Sequence, residues 1–487
     1  MKHLLILALA LTTLPLHAQI RRGDKLPTAD KQQSAYYHRE VIPLPAGETM
    51  EISSIALLPN KKIAVGTRRG DVWICTGAYA ADLSQVKWTL YHRGLHEPLG
   101  MFYKNGWIHY TDRGGHGRMK DTNNDDRMDV LEVINNEWGI NSDYHEYAFG
   151  STPDKQGNVW ATLCLTGSFH ARSQWRGWVV RITPDGKMIP TASGVRSPGG
   201  IGFNAAGDTF YTDNQGKWNG TSCLKHAKSG SFTGCPTGNI FYKDAPHMGP
   251  RPTEPKSGSR IHIERKRIPQ LVPPAVQLPH GIIGQSPTAV ITDLTKNKFG
   301  PFAGQVLVGE QTHSAVQRVF LEKVNGVYQG AVFKFLNGFQ CGIVPMRLSD
   351  DGTLFVGGTN RGWASTGGKT FSFERVRFTG KTPAEIKTMS ANKDGFTLTF
   401  TQPIDAAAAS NIKNYTMKTW TYIYQEKYGS PQVDHTTPTI TAATVSKDKL
   451  TVKLTVEGLQ QGHIHHLKTT LPLWHQNAYY TLNEIPQ

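Results

Sequence analysis

The sequence predicts an all-β chain: a six-bladed β-propeller followed by a small immunoglobulin-like β-sandwich. Three observations lead there: a recurring turn-plus-strand unit, a turn-rich composition, and a change of pattern near Gly380. The unit is a short polar turn containing Gly or Asn, followed by alternating apolar residues. It appears at 59–66 (PNKKIAVG), 104–110 (KNGWIHY), 155–162 (KQGNVWAT), 205–212 (AAGDTFYT) and 350–357 (DDGTLFVG). Such a unit reads as a hairpin, and its repetition along a long chain reads as propeller blades. With 49 Gly and 28 Pro in 487 residues, turns abound and long helical periodicities are scarce.

The elements follow in order. Residues 1–18 read as a signal peptide: Lys2 and His3 precede an apolar run ending in Leu16-His17-Ala18, with cleavage before Gln19. No Cys follows that run, and no later stretch reaches the ~18 consecutive apolar residues of a membrane span. A periplasmic or secreted location is therefore expected, without a transmembrane segment. Residues 19–50 form a leading arm. Units then run over 51–380, and about 330 residues at roughly 50–55 per unit give six blades. Residues 383–487 carry short alternating strands, such as Gly395-Phe396-Thr397-Leu398-Thr399-Phe400, without the blade signal. That suits a separate immunoglobulin-like sandwich lacking a Cys pair.

Charge and cysteines narrow the chemistry. The formal charge is +15, yet the part from Lys381 onward holds ten Lys against eight acids, so the excess lies in the propeller. One dense basic piece is 251–270 (RPTEPKSGSRIHIERKRIPQ), which reads as a solvated surface insertion. Nucleic acid is a poor partner for an exported chain without aromatic-interleaved basic repeats. Five cysteines leave at least one unpaired, with Cys223 and Cys235 the best disulfide candidates across a short loop. Hydrolase elbow, Walker loop and dinucleotide glycine motifs are absent from the sequence, which argues against ATP and NAD.

Four pieces carry a family resemblance: 94–101 (GLHEPLGM), 144–150 (YHEYAFG), 194–201 (GVRSPGGI) and 212–216 (TDNQG). Across about residues 50–380 the chain resembles the quinoprotein glucose/sorbosone dehydrogenase superfamily, in particular its secreted bacterial branch of membrane-bound-dehydrogenase type. The resemblance implies an exported sugar dehydrogenase using pyrroloquinoline quinone and Ca²⁺, with a periplasmic electron acceptor. His145 would take the proton from a sugar hydroxyl, a task that suits an imidazole. Arg196 would stabilise charge developing on the cofactor. The loop of Asp213, Asn214, Gln215 and Gly216 would supply oxygen ligands to the metal, while Arg347 and Arg361 would contact the cofactor. The chain departs from the family pattern at Ser197, at Glu146-Tyr147, and in lacking a downstream cofactor Lys.

A second metal signal is 121–129 (DTNNDDRMD), where Asp121, Asn123, Asp125 and Asp129 follow the alternating oxygen pattern of compact Ca²⁺ loops. Asp126 stands where such loops carry Gly. His463, His465 and His466 alternate so that two imidazoles share a strand face, and read as a solvated strand end. Trp175, Trp178, Trp218 and Trp363 flank blade loops, positions from which they stack on sugars or fill blade interfaces. Two function classes result: a quinone-dependent sugar dehydrogenase, or a non-redox glycan-binding or surface-assembly propeller, with lyase or hydrolase activity at the same funnel as a variant.

Overall fold

The computed structural model describes residue 30, residues 32–360, residue 362 and residues 364–487. The expected signal peptide, the first part of the leading arm (19–29 and 31), Arg361 and Trp363 lie outside the described residues. The chain is all-β and forms a succession of largely antiparallel sheets, an arrangement consistent with a β-propeller. The first sheet holds Ile52–Leu57, Ile63–Thr67, Val72–Thr76 and Lys87–His92 in that order. The second to fifth start on Gly100–Lys104, Ala148–Pro153, Pro198–Phe203 and Pro287–Thr292. The sixth holds Ile343–Leu348, Leu354–Thr359 and Phe371–Phe378. Each sheet's first strand touches the first strand of the next, and Ile343–Leu348 touches Ile52–Leu57, so the contacts return to their origin.

Small residues make that close approach feasible. A Cβ on Gly100 would stand 2.5 Å from the Gly150 carbonyl oxygen, and one on Gly199 would stand 2.1 Å from that of Pro287. The ring is latched by the leading arm: Tyr37–Val41 adds to the outer edge of the sixth sheet, pairing Tyr37 with Phe378 and Val41 with Glu374. Ion pairs Arg39–Glu374 (2.9 Å) and Arg375–Glu40 (2.9 Å) cross the latch. The Tyr37 ring enters an aromatic cluster with Phe299, Phe335, Phe378 and Trp474.

The C-terminal segment forms two sheets around Phe396, Leu398, Met417, Leu454, Leu467 and Tyr480. It does not stand apart as the change of pattern near Gly380 suggests. Asn477–Leu482 pairs with Val327–Leu336, matching Gly330 with Thr481 and Val332 with Tyr479, so one eight-stranded sheet runs from the fifth sheet into the C-terminal segment. The reason is edge protection: the long outer strand of the fifth sheet would otherwise present unpaired backbone groups to solvent. The basic piece 251–270 also differs from a free surface loop. Its helix Ile261–Arg267 lies against the C-terminal segment, with Arg260–Asp434 at 2.6 Å and Arg265–Glu484 at 2.8 Å.

All five cysteines are buried free thiols, which corrects the Cys223–Cys235 pairing. The two sulfurs serve different neighbours: Cys223 donates toward the Asp213 carbonyl and Cys235 toward the Thr237 hydroxyl. His463 and His465 share a strand face as the alternation implies, but that face is the interior, not a solvated end.

Burial pushes His116 and His465 down to about 3, and His109, His226 and His463 to about 4. A free imidazole titrates near 6.5, so below that pH the unfolded chain binds protons that the folded chain refuses. The stability these groups contribute is complete above about pH 6.5 and is lost as pH falls toward about 4. Thermal melts should show Tm falling between pH 7 and 5, and His465→Phe should flatten that slope. A Tm constant over this range contradicts the assignment.

Candidate functional site

The first strands of the six sheets begin on one side of the ring, and the ends of the second strands return to it. His145 lies just before Ala148–Pro153 and Arg196 just before Pro198–Phe203, first strands of neighbouring sheets, and the Arg196 charge is near enough to act on His145; the end of the ring where these strands start is called the mouth below. Burial, opposed in part by Asp143, holds His145 below the ordinary imidazole range, and the nearby positive charges of Arg196, Arg113 and Arg68 add to the depression. At neutral pH His145 is an uncharged base.

Its setting is a charged network that the sequence did not single out. Glu97, almost fully buried, receives Arg68 at 2.6 Å on one oxygen and faces Arg113 at 3.6 Å on the other. Arg113 also donates to the carbonyls of Asp143 and Tyr144, fixing the backbone that leads into His145. The Asp143 carboxylate accepts the His145 amide at 2.8 Å. Glu97 has φ +56, a left-handed conformation strained for a side-chain-bearing residue, and such strain persists where surrounding contacts enforce it. Glu146 points away from the mouth: it is fully buried, accepts Ser173 and Thr166 hydroxyls, and lies 3.9 Å from Arg176.

Arg196 donates from Nε to the Ser168 carbonyl (3.1 Å) and from Nη1 to the Gln215 carbonyl (2.7 Å). It is 4% exposed and has no carboxylate partner among the described residues. The Arg196 guanidinium packs on Gly216, where a Cβ would fall 2.2 Å from the guanidinium carbon and displace it. The Phe169 ring centroid lies 5.6 Å from that carbon, and the Tyr428 centroid 5.0 Å. Tyr428 comes from the C-terminal segment, seated by Gly429 N donating to Gly216 O (3.0 Å) and Trp218 N to Gln425 O (2.8 Å).

The oxygen-rich loop does not gather as a metal site. Asp213 Oδ1 accepts the Ser197 amide (2.7 Å), while Oδ2 accepts the Arg196 amide (3.2 Å) and the Lys225 ammonium (3.0 Å). Lys225, equally buried, also donates to Asn219 Oδ1 at 2.8 Å. A cation thus already neutralises the carboxylate on which the calcium expectation rests. Asn214 keeps Oδ1 buried without a partner, and Gln215 donates its side chain to the Gly220 carbonyl. Elsewhere, Arg347 donates to the carbonyls of Met101 and Met346, within the ring and not beside Arg196.

In the 121–129 loop, Asp121 accepts the amides of Asn123, Asn124 and Asp126. Asn123 accepts that of Asp125, Asp125 that of Arg127, and Asp129 both donors of Thr122. Asp126 adopts φ +65, the conformation expected of Gly at that place, and pairs with Lys62 at 2.6 Å. Among the described residues no group of three or more His, Cys, Asp or Glu side chains converges to hold a metal. At the 213–216 loop the Lys225 ammonium occupies Asp213, an arrangement that does not fit calcium there, while the 121–129 carboxylates accept amides of their own loop.

No family model and no curated protein matches the chain. Solved structures give distant likenesses. A glucose dehydrogenase-type oxidoreductase from Thermus thermophilus shares 16% identity over 70% of this chain and 99% of its own, with TM-score 0.48. The PQQ-bound aldose sugar dehydrogenase of Streptomyces coelicolor shares 14% over 70% and 98%, TM-score 0.47. A Trichoderma reesei carbohydrate-active enzyme of family AA12 shares 11% over 74% and 100%, TM-score 0.49. Values this low do not carry chemistry from those proteins to this chain.

Breaking a buried ion pair on one side typically costs about 3–5 kcal/mol because the remaining charge is stranded. Lys225→Met should therefore destabilise strongly in denaturant melts, whereas Lys225→Met combined with Asp213→Asn should recover part of the loss. Additive losses in the double variant contradict the pairing.

Proposed function

We propose that this chain is an exported, sugar dehydrogenase-like protein: a six-bladed propeller with an immunoglobulin-like C-terminal sandwich, acting on a carbohydrate hydroxyl at the axial mouth. The observation that carries the reading is a neutral imidazole, His145, near a buried guanidinium, Arg196, that has no carboxylate partner among the described residues. A buried unpaired cation is costly and is suited to an anionic partner or to charge that develops in a reaction.

That donor set suits an anionic planar cofactor such as pyrroloquinoline quinone: Arg196 and Arg113, whose Nε is buried without a partner, would hold its acidic groups. A bound quinone supplies the hydride acceptor. His145 accepts the hydroxyl proton on its imidazole, as its depressed titration keeps it unprotonated. Glu97 aligns Arg68 and Arg113, and Arg113 fixes the His145 backbone through the Asp143 and Tyr144 carbonyls. No step runs through calcium.

A non-redox carbohydrate-binding propeller is the second reading, favoured by the saturation of Asp213 by Lys225, Arg196 and Ser197. Incubating the apoprotein with pyrroloquinoline quinone, with and without Ca²⁺, and following dye reduction across a sugar panel separates the two. The first reading predicts turnover without added Ca²⁺. Sugar binding without dye reduction selects the second.

If turnover is present, His145→Ala should lower kcat by roughly 10²–10⁴ while cofactor binding persists. Because folding lowers the His145 pKa, the acid limb of kcat/KM should lie below about pH 6.5, with activity held as pH falls through that value. An unchanged kcat, or an acid limb above 6.5, contradicts the assignment.

A further inference from the structure

Three features of the mouth are not explained by a proton acceptor and a cation alone. Tyr144, Phe169 and Tyr428 are exposed by 59%, 40% and 54%, large fractions for aromatic rings in a molecule with well-buried cores. Phe169 and Tyr428 come from segments far apart in sequence, yet their centroids are 6.2 Å apart at 41°. Arg196 braces both rings from beneath, and the Tyr144 ring lies 4.2 Å from that of His145. The loop carrying Phe169 also meets the His145 segment: a Cβ on Gly167 would lie 3.4 Å from Asp143 Oδ2.

We propose that Phe169 and Tyr428 form a stacking platform for the apolar face of a pyranose ring, and that Tyr428 makes the C-terminal segment part of the binding site. The proposal rests on the carbohydrate reading above and names its ring-recognition subsite. A sugar sandwiched between two rings needs about 3.5–4 Å of carbon contact on each side, so a 6.2 Å separation excludes insertion. The ligand lies across the two exposed rims, with its ring-hydrogen face on the aromatics and its hydroxyls toward His145. Arg196 acts here as a positioning residue for the two rings.

The loop that delivers Tyr428 is held by backbone bonds: Gly429 to Gly216, Ser430 to Gly220, and the Lys217–Tyr428 bridge. The Tyr428 ring itself is free of packing duties on its exposed side. Its replacement should therefore change ligand binding more than folding.

Saturation-transfer NMR on the full chain tests this with the methyl glycosides of glucose, galactose, mannose and xylose, and with sorbitol as an acyclic polyol. At least one glycoside should receive saturation mainly at ring protons of one face, and sorbitol much less. Tyr428→Ala should weaken that glycoside about tenfold, the loss expected for one aromatic contact of about 1.4 kcal/mol. Phe169→Ala should do the same from the propeller side, Tyr428→Phe should retain binding, and all three should keep the wild-type Tm within a few degrees. Equal binding by Tyr428→Ala and wild type, equal saturation of sorbitol, or no glycoside binding overturns the platform. Glycoside binding that depends on Tyr428 in a protein without dye reduction leaves the platform standing and removes the dehydrogenase reading.

Discussion

Six first strands meet around one axis only where little more than a hydrogen atom separates neighbouring backbones. Gly100 against Gly150 and Gly199 against Pro287 meet that condition, and a methyl group at either place would overlap a carbonyl. Close approach fixes the angle between sheets, and the angle fixes where strand starts lie. His145 and Arg196, far apart in sequence, become neighbours because each precedes a first strand of the ring. The latch of Tyr37–Val41 on Phe371–Phe378 then secures the last sheet to the start of the chain.

The mouth concentrates buried charge. Glu97 is shared by Arg68 and Arg113, and Asp213 is matched by Lys225. Desolvating each charge costs several kcal/mol, which partners and hydrogen bonds must offset. These pairs occupy fixed positions, and beside them stand the groups a ligand would meet: Arg196, which has no carboxylate partner among the described residues, and the exposed rings. The same logic bears on the calcium expectation at the 213–216 loop, since Lys225 already supplies positive charge to Asp213.

Much of the architecture was legible because hairpin turns leave local marks. KQGNVWAT and DDGTLFVG name their own turns and strands, and the place of His145 and Arg196 just before the first strands of neighbouring sheets can be read from such units. Long-range partners leave no such mark. Nothing around Lys225 announces that it meets Asp213, and nothing in the 424–430 stretch indicates that Tyr428 covers Arg196. The continuity of Val327–Leu336 with Asn477–Leu482 was hidden for the same reason: edge pairing depends on which strands the fold leaves unpaired, not on their own composition. The alternation of His463 and His465 gave the shared face correctly, but burial of that face depends on the opposing sheet.

The central claim is that the C-terminal segment closes over the propeller mouth beside Arg196. Lys217 and Tyr428 form an antiparallel bridge there, a pairing whose Cβ separation of about 4.5–5.5 Å lies near disulfide reach. Replacing both by cysteine in the full chain and oxidising under native conditions tests this directly, since the five native thiols are buried and slow to react. The account predicts an intramolecular Lys217→Cys/Tyr428→Cys disulfide, seen by peptide mass mapping, with both new thiols protected from alkylation. Two freely alkylated thiols would contradict it.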